Sequence, residues 1–252
     1  MNGYGTGYDG AEDKYHMSIS FSGVTMRNGL VVSNPAILSV LLTHLDGTNG
    51  STSFVDSSSS PKTITGFGNA QISTTQSKFG GASAYFDGTG DYLTVASADF
   101  AVGTGDFTVE GWVYLTAYGN GGIFSTWTVG MDQGIWLGFD LAGKINFYIG
   151  GAYGSGYNNG IVSAATVPLN TWTYVAAVRA SSATYLYLNG ERIGTSSTTR
   201  NITNTNGVIG RVYWGHDSNY LTGYIDDVRV TCGVARYGAS DFTPPTAPFP
   251  NS

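Results

Sequence analysis

The sequence predicts an all-β protein, folded as a two-sheet antiparallel β-sandwich of the jelly-roll type. Residues 106–115 alternate between two sets of side chains, which is the period of a half-buried strand. Turns rich in Asp and Gly, such as 87–91, separate short apolar runs. We expect about a dozen short strands at the spacing of a sandwich and no amphipathic helix. The two sets within 106–115 are Phe107, Val109, Val113 and Leu115, and Thr108, Glu110, Trp112 and Tyr114.

Composition agrees with a β protein and argues against several kinds of partner. Charged residues make up 11% of the chain, against roughly 25% in an average soluble domain, and there are 37 glycines. The formal net charge is −6, with 11 Lys and Arg scattered singly. So few cations cannot form a phosphate-binding stripe or a basic membrane-surface patch. We therefore expect no nucleic acid ligand and no membrane insertion.

Residues 1–36 are predicted to form an extended N-terminal arm. Glycines alternate there with Tyr4, Tyr8 and acidic residues, and 17–24 has only weak strand character. Such a segment cannot form a core of its own. Its composition fits a flexible arm as well as an assembly arm, and we favour the second. It also lacks the charged and apolar regions of a signal peptide, so we expect synthesis in a cytoplasm without export.

Residues 37–232 are predicted to form the sandwich itself. Its strongest hairpin signal is Asn189-Gly190, because Asn-Gly favours a type I′ turn. Cys232 is the single cysteine, which excludes an internal disulfide. The other predicted strands include 39–45, 54–56, 64–67, 122–128, 134–140, 144–149, 171–179, 184–193, 207–212 and 221–230.

Residues 233–252 are predicted to form an extended tail. The stretch 242–250 reads FTPPTAPFP. Proline restricts the residue before it to extended conformations and cannot donate a backbone hydrogen bond. We therefore expect this tail to lie along the surface of the sandwich.

Five segments together resemble the laminin-G-like, concanavalin-A-like jelly roll of lectins and glucanases. The resemblance covers roughly residues 38–231 and implies two curved sheets, often a calcium ion, and frequently a carbohydrate ligand. The segments are LLTHLDG at 41–47, FGGASAYFDG at 79–88 with DYL at 91–93, DFTVEGWV at 106–113, WTYVAAV at 172–178 with LYLNG at 186–190, and GYIDDVRV at 223–230.

The end of the chain resembles a narrower group, the stand-alone versions of this domain in tailed-bacteriophage virion proteins. The segments that carry this resemblance are YIDDVRVT at 224–231, GVARY at 233–237 and FTPPTAPF at 242–249. The arm at 1–36 is not covered by the family pattern.

A calcium site is the first chemical prediction. Calcium takes oxygen ligands from carboxylates and backbone carbonyls, which Asp-rich turns supply. The family resemblance implies that Asp46, after the first strand, meets Asp226, in the last strand, at one edge of the sandwich. Asp56 or Asp227 would add a further oxygen. The alternative is that Asp46, Asp87 and Asp91 only form turns, with their side chains bonded to nearby backbone amides.

A carbohydrate site is the second chemical prediction. Such a site stacks sugar rings on exposed aromatic faces and binds hydroxyls through polar groups. In a chain with 13% aromatic residues, some exposed tyrosines are also expected without any ligand. The candidates beside Gly-rich loops are Tyr118, Trp127, Tyr153, Tyr157, Tyr213, Trp214 and Tyr220.

Catalysis is not expected. Related jelly-roll glucanases carry three acids along one strand, and a retaining mechanism needs two carboxyls roughly 5 Å apart. Here Asp106 and Glu110 lie at opposite ends of a strand, and consecutive Asp226 and Asp227 are expected to point to opposite faces. Without a suitable pair of acids, the sequence favours a non-enzymatic protein.

Two hypotheses for function remain open. The first is a structural protein at the virion surface of a tailed phage, serving as a capsid decoration, tail or fibre component. In that case residues 1–36 and the tail contact other virion proteins, the protein is a homo-oligomer, and the jelly roll binds glycans. The second is a soluble calcium-dependent lectin module.

Overall fold

The computed structural model describes residues 39–126, 133–150, 160–212 and 219–251, together with the backbone of three strands within 20–33. The chain divides into two compact units, Met1–Ala36 and Ile37–Ser252. In the first unit, β1 (Ser20–Phe21), β2 (Val24–Arg27) and β3 (Leu30–Ser33) form a three-stranded antiparallel sheet. Within the described ranges, no helix has the length and apolar character needed to cross a bilayer.

The described residues of the second unit form short strands joined by turns, with a 3₁₀ turn at Ala98–Phe100. Its strands are β4 (Leu41–Thr43), β5 (Ile64–Phe67), β6 (Gln71–Ser73), β7 (Ser83–Asp87), β8 (Tyr92–Ala96), β9 (Phe107–Leu115), β10 (Gly122–Ser125), β11 (Ile135–Phe139), β12 (Lys144–Ile149), β13 (Ile161–Thr166), β14 (Thr173–Ala180), β15 (Ala183–Leu188), β16 (Glu191–Ser197), β17 (Asn206–Ile209) and β18 (Thr222–Cys232).

These strands form a sandwich of two antiparallel sheets, which confirms the predicted fold class. The seven-stranded sheet has the order β13-β12-β11-β10-β17-β8-β5. The eight-stranded sheet has the order β16-β15-β14-β9-β18-β7-β6, with β4 paired to β18. The inward side chains of both sheets form one continuous core, in which Phe86, Phe107, Val113, Leu137 and Phe147 are fully or almost fully buried.

The hairpin predicted at Asn189-Gly190 is present. Leu188 pairs with Glu191, so the turn between β15 and β16 contains two residues. Both have positive φ, 49° at Asn189 and 83° at Gly190, as a type I′ turn requires.

Strand β9 is buried on both faces, whereas the alternation predicted a half-buried strand. Phe107, Val109 and Val113 face the core as expected. Part of the other face of the sheet is covered by residues 233–251, which we call the C-terminal strap. A second apolar cluster forms there, in which strap residue Phe249 is 4% exposed. A distant segment therefore covers the face that the alternation predicts to be exposed.

The strap packs on the eight-stranded sheet without forming a strand of its own. Near its middle, the Phe242 N–H donates to the Gly190 carbonyl over 3.0 Å. Tyr237 stacks on Phe242 with ring centroids 3.7 Å apart. At its far end, the Phe249 N–H donates to Asp227 Oδ2 over 2.8 Å. Prolines prevent regular pairing, so isolated hydrogen bonds and aromatic packing hold this segment in place.

Candidate functional site

The outward face of the seven-stranded sheet carries aromatic and hydroxyl side chains. Cross-strand partners on this face include Phe67 with Tyr92, and Thr65 with Thr94. Side chains alternate across a strand, so each aromatic pair and each threonine pair lies on the same surface. None of these seven strands contains an aspartate or a glutamate.

One end of this face holds a compact aromatic cluster, which consists of Phe67, Tyr92, Tyr220 and Arg211. Phe67 and Tyr92 stack with centroids 4.6 Å apart and planes within 2°. Tyr220 lies 6.3 Å beyond Tyr92. The Arg211 guanidinium lies 4.9 Å from the Tyr92 ring and 5.2 Å from the Tyr220 ring. Phe67 is 42% exposed at the edge of the sheet, so part of its ring surface is open to solvent.

A groove adjoins this aromatic cluster on the same face. It encloses about 410 Å³ over β5, β8 and β17. Thr65 and Thr94, which line it, are two residues along their strands from Phe67 and Tyr92. Thr63 and Asn206 complete its polar lining. The groove therefore places hydroxyl and amide groups beside an exposed aromatic ring, as carbohydrate sites do.

Two of the predicted carbohydrate-binding residues are described. Tyr220 belongs to the aromatic cluster. Tyr118 is 39% exposed in another region, where its hydroxyl donates to the Val167 carbonyl over 3.1 Å. The other candidates, Trp127, Tyr153, Tyr157, Tyr213 and Trp214, lie outside the described residues.

Sequence reasoning missed Phe67 and Tyr92. A local signal was available, since Phe67 ends the predicted strand 64–67 and Tyr92 directly follows the predicted turn 87–91. Their pairing was not, because β5 and β8 are separated by β6 and β7, which belong to the other sheet.

The predicted metal-binding residues Asp46 and Asp226 approach each other where β18 changes partner. The first part of β18 pairs with β7, and its later part pairs with β4. The register shifts between Asp226 and Arg229, and Asp227 has a φ of 50°. This register shift is a bulge in β18, and β4 ends beside it at Thr43. Asp46, which follows β4, is close enough to Asp226 for the two carboxylates to interact electrostatically.

Asp226 is a buried carboxylate with one unsatisfied oxygen. Its Oδ2 accepts N–H groups from Lys78 over 2.7 Å and Phe79 over 3.0 Å. Its Oδ1 is buried without a hydrogen-bond partner. Burial, together with the charges of Asp46 and Asp227, raises its pKa to about 7 despite the two amide donors.

Asp46 packs against the backbone of the loop that precedes β7. It accepts a hydrogen bond from the Ala82 N–H, and burial raises its pKa. Gly80 has a φ of +64°, and a Cβ there would overlap the Asp46 carboxylate. Glycine at this position therefore allows the carboxylate to lie close to the chain.

Asp227 and Asp56 already have hydrogen-bond partners. Asp227 Oδ1 lies 2.6 Å from His44 Nδ1, and this hydrogen bond is the main cause that raises the His44 pKa to about 8. Asp56 Oδ1 accepts the N–H groups of Leu42 over 3.1 Å and Ser58 over 2.9 Å. Asp56 Oδ2 accepts the Lys62 N–H over 2.8 Å. Both Asp56 oxygens are thus occupied by backbone amides of its own loop and of β4.

The oxygen atoms near Asp226 supply part of the coordination shell that a hard cation needs. The unsatisfied Asp226 Oδ1 and the nearby Asp46 carboxylate are the ligands that calcium prefers. No three His, Cys, Asp or Glu side chains in the described ranges have a metal-holding arrangement. Backbone carbonyls and water would have to complete the coordination shell.

Glu110 is fully buried and bound within a polar network under the strap. Its Oε1 accepts from Arg229 over 2.7 Å. Its Oε2 accepts from the hydroxyls of Tyr174 and of the strap residue Tyr237, the latter over 2.7 Å. This carboxylate is closed to solvent and fully hydrogen-bonded, which is the environment of a structural acid.

Comparison with known proteins agrees with this fold. The family model of the concanavalin A-like lectin/glucanases superfamily matches residues 87–234, more than half of the chain. The protein therefore belongs to this superfamily. No curated protein matches the chain.

Two solved structures illustrate the likeness. Domain 4 of a GH43 extracellular arabinanase from Geobacillus stearothermophilus, in complex with arabinotriose, superposes with a TM-score of 0.56 at 16% identity, covering 79% of this chain and 93% of that domain. The botulinum neurotoxin serotype D binding domain has a TM-score of 0.56 at 15% identity, covering 77% of this chain and 48% of that binding-domain chain. This chain thus spans about half of that binding domain, and at such identities the likeness concerns the fold.

Proposed function

We propose that this protein is a non-enzymatic glycan-binding module. The observation that carries the proposal is the exposed Phe67–Tyr92 stack beside a groove lined by Thr65, Thr94 and Asn206. The aromatic face would pack against the apolar face of a sugar ring, and the groove would bind its hydroxyls. The absence of carboxylates from the seven strands of this sheet supports binding rather than hydrolysis.

The test is a glycan array probed with the full chain, followed by titration calorimetry on the best glycan. We expect Phe67→Ala to weaken binding about three- to tenfold, which corresponds to the loss of one aromatic contact. Leu141→Ala is the matched control, because Leu141 is 73% exposed on a turn away from the groove. An array without any binding, or equal affinities for Phe67→Ala and the native chain, would refute the proposal.

We also propose that calcium binds at Asp46 and Asp226 and stabilises the bulge in β18. The unsatisfied Oδ1 of Asp226 supports this, since a cation would neutralise a buried charge. Calcium titrated into chelator-treated protein should release heat and raise the melting temperature. Asp226→Asn should abolish both effects, whereas Asp56→Asn should leave the binding heat in place. A calcium titration of the native protein that releases no heat would contradict this proposal.

The biological setting that we propose is the virion surface of a tailed phage. The resemblance of 224–249 to virion domains supports it, as does the separation of residues 1–36 from the sandwich. Residues 1–36 and the C-terminal region would contact other virion proteins or copies of this chain, and the sandwich would present its glycan site outward. A soluble lectin module is the alternative, which the same groove supports.

A further inference from the structure

The outward face of the eight-stranded sheet carries a row of four aromatic side chains beside the strap. Tyr224 lies opposite Tyr85 on one neighbouring strand and opposite Tyr114 on the other. Thr173 pairs with Val113, which places Trp172 next to Tyr114. These four residues, the aromatic row, therefore run across four adjacent strands rather than along one.

The steps of the aromatic row are nearly equal. Ring centroids are separated by 5.0 Å from Tyr85 to Tyr224, 5.9 Å from Tyr224 to Tyr114, and 5.6 Å from Tyr114 to Trp172. The spacing follows from the distance of about 4.8 Å between neighbouring strands. A step of this size is comparable to the length of one sugar residue in an extended polysaccharide.

Three members of the aromatic row are partly exposed, and the fourth, Tyr224, is buried and anchored by hydrogen bonds. Tyr224 is 8% exposed, and its hydroxyl is hydrogen-bonded by Thr75 and Ser73. Tyr85, Tyr114 and Trp172 are half-buried. Rigid aromatic side chains lose little conformational entropy on binding, so such a surface is well suited to a ligand.

The surroundings of the aromatic row favour an uncharged ligand. Gln71 lies opposite Tyr85 at one end, and exposed Thr171 precedes Trp172 at the other. One charge of each sign flanks the row: Asp87, two residues after Tyr85, and Lys78, whose Nζ lies 3.9 Å from the Trp112 ring. Because their signs are opposite, these two residues together give no preference for an anionic or a cationic partner.

We propose that the aromatic row is a second glycan-binding surface, which takes an extended neutral polysaccharide lying across the strands. This inference rests on the proposed glycan-binding function, and it places a site on the sheet opposite the groove. Two sites on opposite faces would allow one molecule to bridge two glycan chains and to gain avidity from them.

The experiment is affinity gel electrophoresis of the full chain in gels containing arabinan, xylan, a mixed-linkage β-glucan or alginate, the last as an anionic comparison. Trp172→Ala and Tyr85→Ala test the aromatic row, and Phe67→Ala tests the groove. Trp172→Tyr retains an aromatic ring and controls for folding, together with melting curves of all variants. We expect retardation by at least one neutral polysaccharide, weakened about three- to tenfold by Trp172→Ala and by Tyr85→Ala, and largely restored in Trp172→Tyr.

The outcomes separate the two sites. Weaker glycan binding by Trp172→Ala and Tyr85→Ala supports the inference, whatever the result for Phe67→Ala. Normal binding by Phe67→Ala would refute the groove as a glycan site. If Trp172→Ala and Tyr85→Ala bind glycan normally and Phe67→Ala binds it more weakly, the inference is overturned and the proposed function stands.

Retardation by alginate alone overturns the choice of a neutral ligand. If Trp172→Ala loses self-association but binds glycan as before, the row is a protein contact. If the native chain binds none of the polysaccharides, both sites are refuted.

Discussion

At the scale of single residues, the most informative side chain is Asp226. A carboxylate with an ordinary pKa is ionised at neutral pH, but this one is buried, and the same burial raises its pKa to about 7. Between pH 4 and 7 the folded state therefore holds a proton that the unfolded state has released. Linkage then requires the free energy of unfolding to fall as the pH rises through this window.

The prediction for this residue concerns Asp226→Asn in chelator-treated protein. The change keeps an oxygen for the Lys78 and Phe79 N–H groups but removes the charge. We expect the native protein to lose up to about 4 kcal/mol of unfolding free energy between pH 4 and 7, because one pKa unit corresponds to about 1.4 kcal/mol. The variant should lose much less, as measured by denaturant titrations at several pH values. Identical pH profiles for the two proteins would contradict the prediction.

His44 explains a second, separate change with pH. Its folded pKa of about 8 exceeds its ordinary value of 6.5, so its ion pair with Asp227 stabilises the fold below pH 6.5. That contribution disappears as the pH rises through 8. The Asp226→Asn variant should therefore still lose stability between pH 6.5 and 8, which separates the two groups.

At the scale of elements, the strap decides how the eight-stranded sheet is covered. Irregular chain could lie on many surfaces, but here it contacts the hairpin turn at Gly190 and the bulge at Asp227. It buries Phe249 and completes the hydrogen bonds of Glu110 through Tyr237. The strap is therefore part of the folded domain rather than a loose tail.

The prediction for the strap compares Gly190→Ala with Gly90→Ala. Both glycines have similar positive φ, +83° and +79°. A Cβ at position 190 would overlap the carbonyl oxygen of Phe242, whereas a Cβ at position 90 meets nothing within 4 Å. Gly90→Ala should cost only the backbone strain, on the order of 1–2 kcal/mol. Gly190→Ala should cost more and increase proteolytic cleavage after residue 233; equal stability losses would show that the strap contact is unimportant.

At the scale of the whole molecule, the chain divides into an N-terminal unit, Met1–Ala36, and the sandwich unit, Ile37–Ser252. The sandwich has its own continuous core, which a chain of this length supports. The described residues of the first unit form three short strands, the longest of which have four residues. A sheet this small is marginal unless it packs against something else.

The prediction for the whole molecule concerns removal of residues 1–36. If this unit serves assembly, the full chain should form a defined oligomer, and the truncated chain should be a folded monomer with an unchanged near-ultraviolet spectrum. Size-exclusion chromatography with light scattering measures this directly. Truncated and full chains of the same monomeric mass would show that residues 1–36 do not drive self-association, and would favour the lectin alternative.

The sequence by itself determined the fold class and many of the local features. Alternation in 106–115 identified the core face of β9, and Asn189-Gly190 identified a two-residue turn, because both depend on neighbouring residues alone. The approach of Asp46 to Asp226 was expected only through the family resemblance, since nothing local joins them.

The tertiary structure decided the features that depend on long-range pairing. Phe67 and Tyr92 became a stack because β5 and β8 are neighbours in one sheet while β6 and β7 lie in the other. Strand β9 became buried on both faces because a segment more than 100 residues later covers it. The same applies to Asp226, whose raised pKa reflects groups from distant parts of the chain. Local periodicity reports which face a side chain takes, and only the packed chain determines what lies against that face.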